Sequence, residues 1–64
     1  MRIDRVKLTA ELVRQDMTQK HLAEISGVSR ATVNGVKCGR TCSDEVGYKI
    51  AEALKVPIEQ LLEN

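Results

Sequence analysis

The sequence has no phenylalanine or tryptophan and a single tyrosine, Tyr48. Its hydrophobic core must therefore come from Leu, Ile, Val, Ala and Met side chains. A chain of 64 residues can build one packed core from these, so we expect a single domain over residues 1–64. A pocket for a large cofactor is hard to build from so few side chains, and we expect neither a cofactor nor a small-molecule ligand.

Long apolar runs and cysteines are also scarce. No segment approaches the roughly 18 consecutive apolar residues that a membrane span requires, and the N-terminus lacks the apolar stretch of a signal peptide. Cys38 and Cys42 are too few to frame a disulfide-stapled protein, and they suit a reducing compartment. These features predict a cytoplasmic protein that does not contact a membrane.

Pro57 is the only proline, and helix-forming residues dominate the rest of the chain. This composition favours an all-α fold. The apolar spacing and the caps predict five helices: one from a cap at Asp4 to about Gln15, then "QKHLAEIS" (19–26), "RATVNGVKC" (30–38), "DEVGYKIAEALK" (44–55) and "PIEQLLE" (57–63).

Helix boundaries are marked by residues that satisfy free backbone groups or adopt left-handed conformations. The predicted N-caps are Asp4, Thr18, Ser29 and Ser43. The predicted stops are Asp16, Gly27 and Gly39. The side chains expected to face the core, beyond Ile3, Leu8 and Leu12 at the first helix, are Leu22, Ile25, Val28, Val33, Val36, Val46, Ile50, Leu54, Ile58, Leu61 and Leu62.

Asn34-Gly35, between Val33 and Val36, is a typical β-hairpin turn sequence. A two-stranded hairpin needs further strands to be stable, and the chain offers none. Val33 and Val36 lie three apart, as on one face of a helix that Ser29 would cap. We therefore predict a helix, although a glycine inside it costs about 1 kcal/mol relative to alanine. Our hypothesis is that Gly35 allows a close approach of this helix to its binding partner.

The net charge of +1 hides an uneven distribution. Residues 19–40 carry four basic residues against Glu24 alone, whereas residues 41–64 carry five acidic residues against two lysines. A basic middle indicates a partner of negative charge. An unevenly charged solvated surface would give the same pattern.

Residues 18–38 have the features of a helix-turn-helix. Ala23 is small where the two helices cross, and Gly27 suits a turn with positive φ. Leu22, Val33 and Val36 are spaced to join the helices. The second helix would expose polar and basic side chains that can enter the major groove.

The run "MTQKHLAEISGVSRATVNGVKCGR" and the tail "KIAEALKVPIEQLLEN" resemble the phage-repressor and Cro type of helix-turn-helix, also called the xenobiotic-response-element family. The resemblance extends from about Ile3 to Glu63. It implies a five-helix, lambda-repressor-like bundle that binds double-stranded DNA as a transcriptional regulator, with the third helix as recognition helix. It also implies that Gln19 contacts a phosphate or supports a base contact. It further implies that the residues facing DNA are Ser29, Arg30, Ala31, Asn34 and Gly35.

Three positions depart from the family pattern. Asp16 stands where glycine is frequent, and Cys42 where proline is often found. Gly35 stands where many relatives carry a longer, often basic, side chain.

Side-chain chemistry predicts how DNA would be contacted. Lys20, Lys37 and Arg40 can bind phosphates, as can the backbone N–H groups near Thr18 and Gln19. Asn34 can pair with adenine and Arg30 with guanine. Ala31 and the methyl group of Thr32 can contact a thymine methyl.

Other functions have weaker support. Cys38, Cys42 and His21 provide too few ligands for structural zinc, so no metal is expected, and Cys38 is interpreted as half-buried at a helix end. One histidine and no phosphate-binding glycine loop argue against an enzyme. The alternative that stays open is an antitoxin or anti-repressor that covers a protein partner. Weak homodimerisation, either through the fifth helix or only on DNA, is also predicted.

Overall fold

The computed structural model describes residues 1–63, and Asn64 lies outside the described residues. Four α-helices and one 3-10 turn account for most of this range. The elements are α1 (Arg5–Arg14), α2 (Gln19–Ser26), α3 (Arg30–Lys37), α4 (Asp44–Leu54) and the 3-10 turn Ile58–Gln60. The predicted all-α architecture is confirmed, but residues 1–63 contain four α-helices and not five.

Each α-helix begins at its predicted cap, and all four caps accept a hydrogen bond from the first turn. The carboxylate of Asp4 accepts from the amides of Val6 at 2.8 Å and Lys7 at 3.2 Å. Thr18 accepts from the amide of His21 at 3.0 Å. The caps satisfy N–H groups that have no partner inside the helix, so these short helices have well-defined starting points.

The turns after the helices depend on left-handed residues. Asp16 has φ 52°, Gly27 has φ 74° and Gly39 has φ 98°, as their predicted roles as stops require. Lys55 also has φ 59°, so α4 ends one residue earlier than predicted. Cys38 likewise lies just after α3 as its C-cap and not inside it. At Lys55 the left-handed conformation costs about 1 kcal/mol, because its Cβ crowds the carbonyl oxygen.

The core lies where α1, α2, α3 and α4 meet. Leu8, Leu22, Val33 and Ile50 have no exposed surface. Ile25 is 48% exposed, so its predicted place in the core is wrong. It lies beside Leu22 on the helix surface but turns towards solvent at the edge of α2, whose core face is formed by Leu22 and Ala23.

The prediction of a fifth α-helix is wrong, because contacts with a distant part of the chain determine the conformation of this segment. Its backbone pairs with the start of the chain, because Leu61 accepts from the amide of Asp4 at 2.7 Å and Arg2 accepts from the amide of Glu63 at 3.2 Å. Ile3 and Leu62 form an isolated antiparallel bridge. The second of these bonds occupies the Glu63 amide, which an α-helix would donate to the carbonyl oxygen of Glu59. Leu61 is buried as predicted, whereas Ile58 and Leu62 are only half-buried.

Asn34 and Gly35 lie inside α3, so the helical interpretation is confirmed over the hairpin. Val33 and Val36 face the core with 0% and 1% exposure. None of the helices in residues 1–63 combines the length and apolar character that crossing a membrane requires.

Candidate nucleic-acid interface

The turn between α2 and α3 is built from three consecutive residues. Gly27 takes the left-handed conformation and donates its amide to Ala23 O at 3.1 Å. Val28 is 7% exposed and donates its amide to Ser26 Oγ at 3.2 Å. Ser29 then caps α3 by accepting from the amide of Thr32 at 3.2 Å. The turn therefore sets the direction in which α3 leaves α2.

The face of α3 opposite the core is open to solvent. Val33 and Val36 point inward, while Arg30, Ala31 and Asn34 are exposed. Ala31 and Asn34 lie three apart on this outward face. Its centre is formed by short side chains, which would allow a close approach to a flat or grooved surface.

Cys38 belongs to the same face and was missed by the sequence analysis. It lies four residues after Asn34 and seven after Ala31, and it is exposed, so its interpretation as half-buried is wrong. As the C-cap of α3 it still donates its amide to Asn34 O at 2.9 Å. The predicted helix over residues 30–38 already included Cys38, so its spacing from Ala31 and Asn34 would have identified it.

Gly35 lies beside this outward face but is half-buried. The side chain of Arg40 covers it, with Cδ 3.3 Å from where a Cβ on Gly35 would lie. The glycine therefore has a contact inside the protein, in addition to any contact with a binding partner.

Thr32 and Lys37 lie at the margins of α3. The hydroxyl of Ser29 donates to Thr32 Oγ1 at 2.8 Å, and Thr32 lines a groove that also contains Thr41 and Ser43. Lys37 is half-buried on the opposite margin, where it lines a groove with Arg5. Their side chains flank the outward face and do not form its centre.

The start of α2 lies next to α3. Gln19, Lys20, Arg30 and Lys37 line one shared surface groove. The first-turn amides of α2 have no acceptor inside the helix, and the helix dipole adds positive potential there. A phosphate oxygen is the kind of group that this arrangement favours.

The predicted site residues thus divide into two groups by exposure. The exposed ones are Thr18, Lys20, Ser29, Arg30, Ala31, Asn34 and Arg40. The half-buried ones are Gln19, Thr32, Gly35 and Lys37.

Comparison with protein families identifies this arrangement. The family described as Helix-turn-helix, of the Cro and phage-repressor type, matches residues 8–61, which is nearly the whole chain. The chain belongs to this helix-turn-helix family. Membership implies DNA binding, and it confirms the resemblance found in the sequence.

Two solved structures are similar to this helix-turn-helix domain, "Native PhpD with Cadmium Atoms" and "Phpd with cadmium complexed with hydroethylphosphonate (HEP)". In each case the TM-score is 0.85 and the identity 25%, over 100% of this chain. This chain spans only 14% of the length of either PhpD chain. None of the curated proteins compared matches the sequence. The same fold therefore also occurs as a small part of a much longer protein.

Some basic side chains of this helix-turn-helix domain are paired with carboxylates, and others are not. Arg2, Arg14 and Lys49 form salt bridges with Glu63, Glu11 and Glu45, respectively. Within residues 1–63, no hydrogen bond or ion pair engages the charged ends of Lys20, Arg30, Lys37 and Arg40. The unpaired positive charge therefore includes the four basic residues around α3, where a polyanion could neutralise it.

The titratable side chains of Glu11 and Cys42 have shifted pKa values. Hydrogen bonds from Arg14 and Gln15 lower the pKa of Glu11 below its ordinary value. Burial raises the pKa of the Cys42 thiol, although the nearby N-terminal ammonium opposes this. Across the described part of the chain, no three His, Cys, Asp or Glu side chains are grouped as metal ligands would be.

Proposed function

We propose that this domain is a transcriptional regulator, acting as a repressor, that binds double-stranded DNA sequence-specifically with α3 in the major groove. The observation that carries this proposal is the combination of an exposed α3 face with four unpaired cations around it. A major groove about 12 Å wide accepts a helix whose central side chains are short.

Contacts with bases would come from the outward face of α3. Asn34 is exposed and can form two hydrogen bonds with adenine, whereas Arg30 can do so with guanine. Ala31 presents a methyl group to a thymine methyl. Thr32, tied to Ser29, would contact only the margin of the groove.

Contacts with phosphates would position the helix. Lys20 and Lys37 lie in the groove where α2 begins beside α3, together with Gln19. Thr18 caps this helix end. These contacts would add affinity without distinguishing sequences, and that affinity would fall as salt rises.

Two copies on adjacent half-sites would supply more contacts than one small domain can make. The surface proposed for pairing from the sequence was a fifth helix, but Leu61 of that segment is in the core. Pairing that forms only on DNA is therefore the version of the dimer that we propose.

Selection from random double-stranded DNA at about 50 mM and about 200 mM salt tests the function. We expect an enriched motif at both concentrations and weaker binding at the higher one. Lys20→Ala should lower the slope of log affinity against log salt by about 1. The matched control is Lys49→Ala, because Lys49 is paired with Glu45 on α4 and should leave the slope unchanged.

Two results would contradict the proposal. Binding without any enriched motif would leave only non-specific association with DNA. No binding at either salt concentration would instead favour the alternative in which the fold covers a protein partner. Sedimentation with motif-containing DNA would test the dimer, since a single copy on every duplex at high protein concentration would contradict pairing.

A further inference from the structure

The end of α3 places Arg40 beside Gly35. The amide of Arg40 donates to Gly35 O at 3.0 Å, and the amide of Gly39 donates to Val36 O at 3.0 Å. Gly39 has φ 98°. This pair of bonds is the Schellman motif. In this motif the residue after the left-handed position, here Arg40, commonly packs against the residue whose carbonyl accepts its amide, here Gly35. Backbone geometry therefore sends the Arg40 side chain back towards α3.

The stem of Arg40 uses the space that a side chain on Gly35 would fill. Its Cδ is 3.3 Å and its Cβ 4.0 Å from the position of a Cβ on Gly35. A separation of 3.3 Å is tighter than most carbon contacts of this kind, so a methyl group at position 35 would require the arginine stem to shift by a few tenths of an ångström. The absence of a side chain at Gly35 thus lets the arginine stem pack closely against α3.

The guanidinium group remains available for a ligand. Arg40 is exposed, and its side chain has no hydrogen-bond or salt-bridge partner among residues 1–63. Gly35 lies four residues after Ala31 and next to Asn34, so the stem crosses α3 beside its outward face. The packed stem reduces the conformational freedom that would be lost on binding.

We infer that Arg40, held across Gly35, contacts a guanine base edge next to the bases that face Ala31 and Asn34. This inference rests on the proposed function and changes the role of Arg40 from a phosphate contact to a specificity-determining residue. A guanidinium can form two hydrogen bonds with O6 and N7 of guanine, and these distinguish guanine from the other bases. A phosphate contact does not distinguish between bases. Gly35 is the positioning residue of this pair.

The test measures binding to duplexes that carry each of the four base pairs at every position of the selected motif. One motif position should prefer guanine by about 5- to 150-fold in the wild-type protein and lose this preference in Arg40→Ala. Arg40→Lys keeps the charge but not the planar pair of donors, so it should also lose the preference. Lys20→Ala is the control, with affinity lowered equally for all sequences.

Gly35→Ala tests whether Gly35 positions the Arg40 side chain. It should reduce the guanine preference at the same motif position as Arg40→Ala, while the thermal unfolding midpoint does not fall. The double variant should show no further loss of preference, because both changes remove one interaction. A merely structural role for Gly35 would not single out that motif position.

The outcomes separate this inference from the proposed function. If the wild-type protein enriches a motif but Arg40→Lys retains every base preference, Arg40 contacts phosphate and the inference is wrong. If Gly35→Ala retains the guanine preference while Arg40→Ala loses it, Gly35 does not position the arginine. If the wild-type protein binds no DNA, the proposed function fails and the inference fails with it.

Discussion

The amide of Asp4, which caps α1, donates a 2.7 Å hydrogen bond to the carbonyl oxygen of Leu61 near the other end of the chain. Ile3 and Leu61 flank this bond and are each 1% exposed. Ile3 also pairs with Leu62 in an antiparallel bridge. The two ends of the chain therefore close the core together, and the last residues contribute to stability without forming an α-helix.

Leu61→Ala should destabilise the domain strongly. Removing a fully buried leucine side chain costs about 2–5 kcal/mol, a large part of the stability of so small a domain. Urea unfolding would measure the change. Leu62→Ala is the matched control, because Leu62 is only half-buried and its backbone bridge is retained. An equal loss in both variants would contradict the assignment of Leu61 to the core.

Two residues with left-handed backbone conformations, Lys55 and Gly27, should respond to substitution with opposite changes in stability. Lys55 has φ 59°, so Lys55→Gly should relieve a cost of about 1 kcal/mol, partly offset by the greater freedom of glycine in the unfolded chain. Gly27→Ala should lower stability by about 1 kcal/mol. A Cβ at Gly27 would meet no atom within 4 Å, so this loss reflects the backbone alone. Thermal unfolding of both variants checks the pair, and a stabilised Gly27→Ala protein would contradict it.

The two cysteines should differ in reactivity. Cys38 is exposed, whereas Cys42 is half-buried and burial raises its thiol pKa. Because the thiolate is the reactive form, iodoacetamide should modify Cys38 first at neutral pH. Peptide mass mapping over time would show this order, with urea-unfolded protein as the control in which the rates converge. Faster modification of Cys42 in the folded protein would contradict the structure.

The alkylation rate of Cys38 can also test which surface of the protein lies against DNA. Cys38 lies on the face of α3 that also carries Ala31 and Asn34. If that face enters the major groove, DNA carrying the selected motif should slow the alkylation of Cys38. Alkylation at an unchanged rate, when nearly all the protein is bound, would place another surface against the DNA.

Stability should depend on pH through Glu11. Arg14 and Gln15 donate hydrogen bonds to its carboxylate, and its pKa is lowered in the folded protein. The unfolded state therefore binds the proton more tightly, and the stabilisation is present above the ordinary pKa of about 4.5. It is lost as pH falls through the lower folded pKa.

Glu11→Gln tests this dependence. The variant should be less stable than the wild-type protein at pH 7, and the difference should shrink as the solution becomes more acidic than about pH 4.5. Thermal unfolding across this pH range would measure it. Carboxyl titration by NMR is the direct check, and a Glu11 midpoint at or above that of an unfolded peptide would be the contrary result.

Asn34→Ala should remove one base preference if Asn34 contacts adenine. Discrimination at that motif position should fall by about 1–3 kcal/mol, while preferences at the other positions remain. The variant retains the helix, because Asn34 is exposed and alanine favours helical conformation. Competition binding with single-base variants of the motif would measure this, and unchanged affinity and preference would exclude Asn34 from base contact.

Local chemistry explains why the starts of the four α-helices were predictable. Asp4, Thr18, Ser29 and Ser43 cap their helices through side chains that reach amides two or three residues away. Such contacts are contained in a short stretch of sequence. The outward position of Asn34 was predictable for the same reason, because helical spacing relates it to the buried Val33 and Val36.

Periodicity does not show how far the core extends around a helix. Ile25 was predicted to be buried, but it faces solvent at the edge of α2. The exposure of Cys38, by contrast, was open to prediction, because it lies four residues after Asn34 within the predicted helix. Which cations remain unpaired also depends on neighbours that are distant in the chain, as the pairing of Arg2 with Glu63 shows.

The sequence by itself determined the helix starts, the left-handed turn at Gly27 and the helix-turn-helix, because these follow from contacts within a few residues. Only the tertiary structure decided that residues 61–63 pair with the start of the chain, because the backbone bonds of Leu61 with Asp4 and of Glu63 with Arg2 join opposite ends of the sequence, which local patterns do not relate.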